Sequence, residues 1–180
     1  MQLPEVTRRS FLRGTLRGAG AVALVPMLAV GCAPERTAAA PRDLRVLGVA
    51  EWSLLDTIAD TFVPRGGAFA LGARDLDLAT RIDAYLANER PEIVRGVRGA
   101  LLLVEWASPL ASGRLGRFSA LDVDARIACI DALRTSRSAT LREVFAGLKT
   151  LCLFLFYAAD ESWTALGYDG PLVGRRVVSP

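Results

Sequence analysis

Glu51-Trp52-Ser53-Leu54-Leu55-Asp56-Thr57-Ile58-Ala59-Asp60-Thr61-Phe62 repeats apolar residues at helical spacing. Leu54, Leu55, Ile58 and Phe62 share one face of such a helix, and Asp56 and Asp60 are expected to lie away from it. Pro64 keeps Val63 out of the helical region, so the helix stops there and Arg65-Gly66-Gly67 is a loop. A second helix fits residues 76–88, with Leu78, Ile82, Tyr85 and Leu86 inward and Asp75 as its N-cap. Pro91 suits the first turn of a third helix, to about residue 107, with a stripe of Ile93, Val94, Val97, Leu101 and Val104. One Pro and two Gly make 108–118 a surface loop. Ser119-Ala120-Leu121-Asp122 resembles a capping box opening a fourth helix, with Leu121, Ile127, Ile130 and Leu133 as its apolar positions.

A fifth helix starts near Ser138 and carries Leu141, Val144, Phe145, Leu148 and Leu151. It leads into Leu151-Cys152-Leu153-Phe154-Leu155-Phe156-Tyr157-Ala158-Ala159, which is apolar on every side. A helix of that kind is covered all round, by its own core on one face and a partner on another. Nine residues cannot cross a bilayer, and a buried strand stays open on periodicity alone. No hairpin signal, alternating run or internal repeat occurs elsewhere. The reading is an all-α domain of about five helices over residues 43–180.

Residues 1–42 read differently. Thr7-Arg8-Arg9-Ser10-Phe11-Leu12-Arg13 resembles a twin-arginine export signal, with Arg8, Arg9, Phe11 and Leu12 at its defining positions. A short apolar segment follows, broken by Gly20 and Pro26, so residues 1–31 read as a removable signal handled by the twin-arginine translocase. Cleavage falls between Gly31 and Cys32 on either of two readings. Ala29 and Gly31 satisfy the small-residue rule of an ordinary signal peptidase, and Cys32 stands where a lipoprotein would be lipidated. The expected location is the periplasm, with lipid anchoring through Cys32 left open. Residues 32–42 read as a flexible tether rich in Ala and flanked by Pro.

The chain's formal charge of +3 belongs to the signal. Four of the 22 basic residues and one of the 19 acidic residues lie there, leaving eighteen of each. A balanced mature chain lacks the clustered positive field that nucleic acid requires. Arg175-Arg176 near the C-terminus is most simply a solvated charge pair.

There is no histidine, and Lys149 is the only lysine. Imidazole chemistry is therefore closed to this chain, and independent catalysis is disfavoured. The carboxylates Asp160 and Glu161 beside Trp163 are the remaining acid–base candidates, and a solvated helix end explains them more simply. Cys129 and Cys152 are either a disulfide pair or two small buried apolar side chains. No metal-ligand or haem-attachment spacing accompanies them.

Residues 148–171, L-K-T-L-C-L-F-L-F-Y-A-A-D-E-S-W-T-A-L-G-Y-D-G-P, resemble the signature of the gluconate 2-dehydrogenase subunit 3 family. A long helix, Trp163 and then Leu166-Gly167-Tyr168-x-Gly170-Pro171 carry that resemblance. Leu55-Asp56-x-x-Ala59-Asp60-x-Phe62-Val63-Pro64 and the helix over 119–133 agree with it. It implies a small, non-catalytic subunit that escorts a larger dehydrogenase through export and supports its folding and assembly. The implied partner is similar to glucose–methanol–choline flavoproteins and holds FAD, whereas this chain holds no cofactor. A multihaem cytochrome c subunit often completes such complexes. Phe154, Phe156, Trp163, Tyr168, Gly170 and Pro171 are then the expected partner interface. Filling of the chain's own core by Trp163 and Tyr168, with Gly167 closing the helix, remains the alternative. A stand-alone envelope lipoprotein acting as a binding or scaffold module is the alternative function.

Overall fold

The computed structural model describes residues 40–67 and 70–170. Among these residues the chain forms six α-helices, two short 3₁₀ turns and no strand. The helices are α1 (Val49–Phe62), α2 (Leu78–Leu86), α3 (Pro91–Ala111), α4 (Val123–Arg134), α5 (Ala139–Tyr157) and α6 (Asp160–Leu166). The 3₁₀ turns are Ala73–Leu76 and Phe118–Ala120. The all-α expectation is met, with one helix more than the sequence suggests.

α5 is the axis of the fold, packing against each of the other five helices. Leu148, Cys152 and Phe156, spaced by four residues, line its buried face. Half-buried Leu141, Val144, Phe145, Leu151, Leu153 and Leu155 widen that face on both sides. This placement explains the unbroken apolar run from Leu151 onward. Coverage is nevertheless incomplete, because Phe154 and Tyr157 stay exposed. Leu55 and Ile58 of α1, Ile82 and Leu86 of α2, and Leu133 of α4 complete the core. Each such side chain contributes about 1.5–3 kcal/mol on burial.

Several boundaries and faces differ from expectation. Asp56 is buried at 5% exposure rather than turned to solvent. It accepts from Arg74 Nε at 3.1 Å, and the same guanidinium reaches Asp60 Oδ2 at 3.0 Å. A carboxylate can occupy the helix interface here because the adjoining 3₁₀ turn delivers its counter-charge. Asp75 does not cap α2. It accepts the Gly72 amide at 2.8 Å and closes the 3₁₀ turn, while α2 begins after Asp77, whose φ of +46° is left-handed.

α3 runs through Pro109 to Ala111, beyond the expected stop. Pro109 withholds one amide from the ladder, at the Glu105 carbonyl, with only the last turn beyond it, and the Ser108 hydroxyl donates to the Val104 carbonyl at 2.6 Å. The expected capping box is also replaced. Asp122 itself caps α4, accepting the Ala125 amide at 2.8 Å. Ser119 sits in the 3₁₀ turn, and its amide and hydroxyl both donate to buried Glu105, at 3.0 and 2.7 Å. Leu121 thus precedes α4, and two of the apolar positions, Ile93 and Ile127, lie at the surface.

The segment before α1 is held by α2. The backbone amides of Arg45, Val46 and Leu47 donate to the buried Asp83 carboxylate at 2.6, 3.0 and 2.7 Å. Ala40, in the stretch expected to be a tether, already packs on the core.

Candidate partner-binding surface

The C-terminal block is built from local rules. Ala159 breaks the helical path with an extended backbone, and Asp160 and Glu161 occupy the first turn of α6, where acidic groups favour a helix start. Gly167 ends the helix at φ +65°. Its amide donates to the Thr164 carbonyl at 3.2 Å, and the Tyr168 amide donates to the Trp163 carbonyl at 3.0 Å. This pair of bonds is a Schellman motif, which requires a left-handed residue and favours an apolar contact across the turn. Trp163 and Tyr168 make that contact, edge to face with ring centroids 5.3 Å apart. The Trp163 indole N–H donates to the Tyr157 carbonyl at 3.0 Å, satisfying an orphan acceptor at the end of α5. Leu-Gly-Tyr thus specifies a helix stop, as the sequence allows, and Gly170, also left-handed at φ +92°, is buried.

α6 is pinned to α2 across eighty residues of sequence, where Arg81 donates to Glu161 at 2.6 Å. A hydrogen bond from its own backbone and the Arg81 guanidinium hold the Glu161 carboxyl below its ordinary range. Asp160 and Glu161 are both exposed at the helix start, and Glu161 is the one paired with Arg81.

The expected interface residues divide. Phe156 is 1% exposed and belongs to the chain's own core, because it continues the Leu148–Cys152 face. Phe154, two positions away and so on the opposite side of α5, is 57% exposed. Its ring meets Tyr85 edge to face at 6.1 Å. Tyr85 is itself exposed, and a hydrogen bond to Glu89 raises the pKa of its hydroxyl. Tyr168 is exposed and Trp163 half-buried. Arg8, Arg9, Phe11, Leu12, Gly31, Cys32 and Pro171 lie outside the described residues.

Cys129 on α4 and Cys152 on α5 are both free and buried. Burial pushes the Cys152 thiol up to about 12. The Cys129 sulfur lies 3.2 Å from the Ser112 hydroxyl.

A larger apolar surface lies on α3, where sequence reading did not place it. Leu102, Trp106 and Leu110 recur every four residues and are 63%, 54% and 64% exposed. The inward face of the same helix is taken by Leu101, Val104, Ser108 and Pro109. From Gly99 to Ser112 the only charged residue is Glu105, and that carboxylate is turned inward onto Ser119. The outer face of this half of α3 therefore carries no charge. Its signal in the sequence is a second four-residue repeat, offset by one position from the Leu101–Val104 stripe. An aromatic flanked by two leucines on a rigid helix is the composition of an interface anchor.

Residues 49–170 match the family model described as Gluconate 2-dehydrogenase subunit 3. The chain belongs to that family. The match begins at the first residue of α1 and ends at Gly170, so it covers all six helices and the Schellman turn. No curated protein and no solved structure matches the chain. Membership makes the chain a subunit that associates with other gluconate 2-dehydrogenase subunits. No group of acidic, cysteine or histidine side chains among the described residues is arranged to hold a metal ion. No helix among them is long and apolar enough to cross a membrane.

Proposed function

We propose that this gluconate 2-dehydrogenase subunit 3 protein is a non-catalytic small subunit. It escorts an FAD-dependent dehydrogenase of the glucose–methanol–choline type through twin-arginine export and supports its folding and assembly at the membrane. The observation that carries the reading is the uncharged outer face of α3, with Leu102, Trp106 and Leu110 more than half exposed. A subunit that acts by association needs such a face. In this reading Trp106 is the anchor of the flavoprotein contact, and the ring pair Tyr85–Phe154 contributes at a second point. Leu102 and Leu110 exclude water on either side of the indole.

The flavin belongs to the partner. The export signal at Arg8 and Arg9 then serves both subunits, because the twin-arginine route carries folded passengers. Affinity purification of the tagged, exported chain, followed by an absorbance spectrum of the eluate, tests the reading. A large partner in stoichiometric yield with oxidised-flavin bands is expected. A colourless chain recovered alone from cells that make the flavoprotein would overturn it.

A further inference from the structure

A groove of about 460 Å³ opens between α2, α3 and α5, on a different part of α3 from the Trp106 face. Its walls are apolar, formed by Ile93 and Val97 from α3 and by Val144 and Leu151 from α5. The α5 wall runs from Thr140 to Leu151, about 16 Å or three turns of helix. Gly96 and Gly147 also line it, each inside a long helix, where glycine is weaker than alanine. The chain's own packing requires neither glycine, because a Cβ at each position would meet nothing within 4 Å. Bare backbone on both walls leaves room for close approach by an incoming segment. The rim is acidic. Glu92 and Glu143 line the groove, and Tyr85, which also lines it, is hydrogen-bonded to Glu89. Glu92 pairs with Arg95 at 3.0 Å, whereas Glu143 has no ion-pair partner among the described residues.

We propose that the groove seats an amphipathic helix of the flavoprotein, whose apolar face fills the walls and whose lysine or arginine reaches Glu143. The proposal rests on the flavoprotein reading above and gives the chemistry of its second contact. Continuity supports it. Tyr85 lines the groove and meets the exposed Phe154 ring, so groove and ring pair form one surface on a chain whose family associates with other subunits. Charge then selects among occupants. A second copy would offer its exposed Leu102–Trp106–Leu110 face, which carries no base to meet Glu143. A fatty acid or anionic lipid would bring its negative headgroup to a carboxylate rim. A basic amphipathic helix satisfies the rim and the apolar walls together. Shape agrees with charge. Packed helices lie about 8–10 Å apart, and glycine on both walls permits the close end of that range.

Cells producing both subunits supply the test. Gly147→Leu fills the groove from an exposed position, so its unfolding temperature is expected to be no lower than that of the wild type. Its affinity for the flavoprotein is nevertheless expected to fall at least about tenfold. Glu143→Arg is expected to lower the affinity severalfold, and Glu143→Gln less. A photo-reactive benzoyl-phenylalanine in place of Thr140, followed by mass spectrometry, is expected to crosslink to a flavoprotein peptide containing lysine or arginine. An affinity unchanged by both Gly147→Leu and Glu143→Arg overturns the proposal. So do Thr140 crosslinks confined to a second copy or to lipid. If the wild-type chain recovers no flavoprotein, the underlying reading falls and takes the groove with it. If Trp106→Glu abolishes recovery while the groove variants keep full affinity, only the groove assignment falls.

Discussion

The Trp163 indole donates to the Tyr157 carbonyl at 3.0 Å, so a side chain of α6 finishes the backbone bonding of α5. The same ring then stacks edge-on against Tyr168 across the Gly167 turn. The most distinctive motif of the chain is in this way a device for stopping one helix and closing another. That role sets the first expectation.

Gly167→Ala is expected to destabilise the fold by about 1 kcal/mol, because the cost is confined to a left-handed backbone. Nothing lies within 4 Å of the added methyl group. Gly72→Ala fails for another reason and costs more, on the order of 2–3 kcal/mol. Its Cβ would stand 2.5 Å from the Arg65 backbone nitrogen. Thermal or urea unfolding of the two variants checks the order.

Asp83→Ala leaves three backbone amides without their shared acceptor, and is expected to cost about 2–4 kcal/mol. Hydrogen exchange gives the site-specific reading. The amides of residues 45–47 should lose protection first, ahead of α1.

The Arg81–Glu161 tie is expected to weaken in acid. Glu161 has a folded-state pKa below its ordinary 4.5, so the unfolded chain binds the proton more readily. The stabilisation is present above 4.5 and is lost as the pH falls through the folded value. An NMR titration of the Glu161 carboxyl should show an upward shift in Arg81→Met. An unchanged titration would mean that the pair does not form in solution.

Cys152 should resist thiol reagents at pH 8 in the native chain and react fully once unfolded. With the thiol raised to about 12, the unfolded chain loses its proton first as pH rises from 9.0, so this contribution to stability is lost between those values.

What the sequence reveals and what it hides follow from range. Helical periodicity, Pro64 and Gly167 are local signals, and they place α1, its end and the closing turn. Asp56 misleads because its partner, Arg74, arrives from a 3₁₀ turn eighteen residues on. A carboxylate reads as solvent-facing until its counter-charge is located. The same holds for Glu105 and Asp83, whose acceptors serve backbone amides that no periodicity announces. The candidate surface was harder still. Phe154 and Phe156 are equivalent in an unbroken apolar run, and only the packing of α5 among five helices separates the buried ring from the exposed one. The Leu102–Trp106–Leu110 face looks like core in sequence because its helix has a true core stripe beside it.

The most direct measurement compares the wild-type chain with Trp106→Glu in co-purification of the flavoprotein from cells producing both. The indole is half exposed, so the variant is expected to fold with an unchanged unfolding temperature. Its affinity for the flavoprotein should fall by at least about thirtyfold, the loss of an anchor worth about 2 kcal/mol or more. Flavin would then disappear from the eluate. A folded Trp106→Glu chain that still brings down the flavoprotein in stoichiometric yield would contradict the assignment of the α3 face.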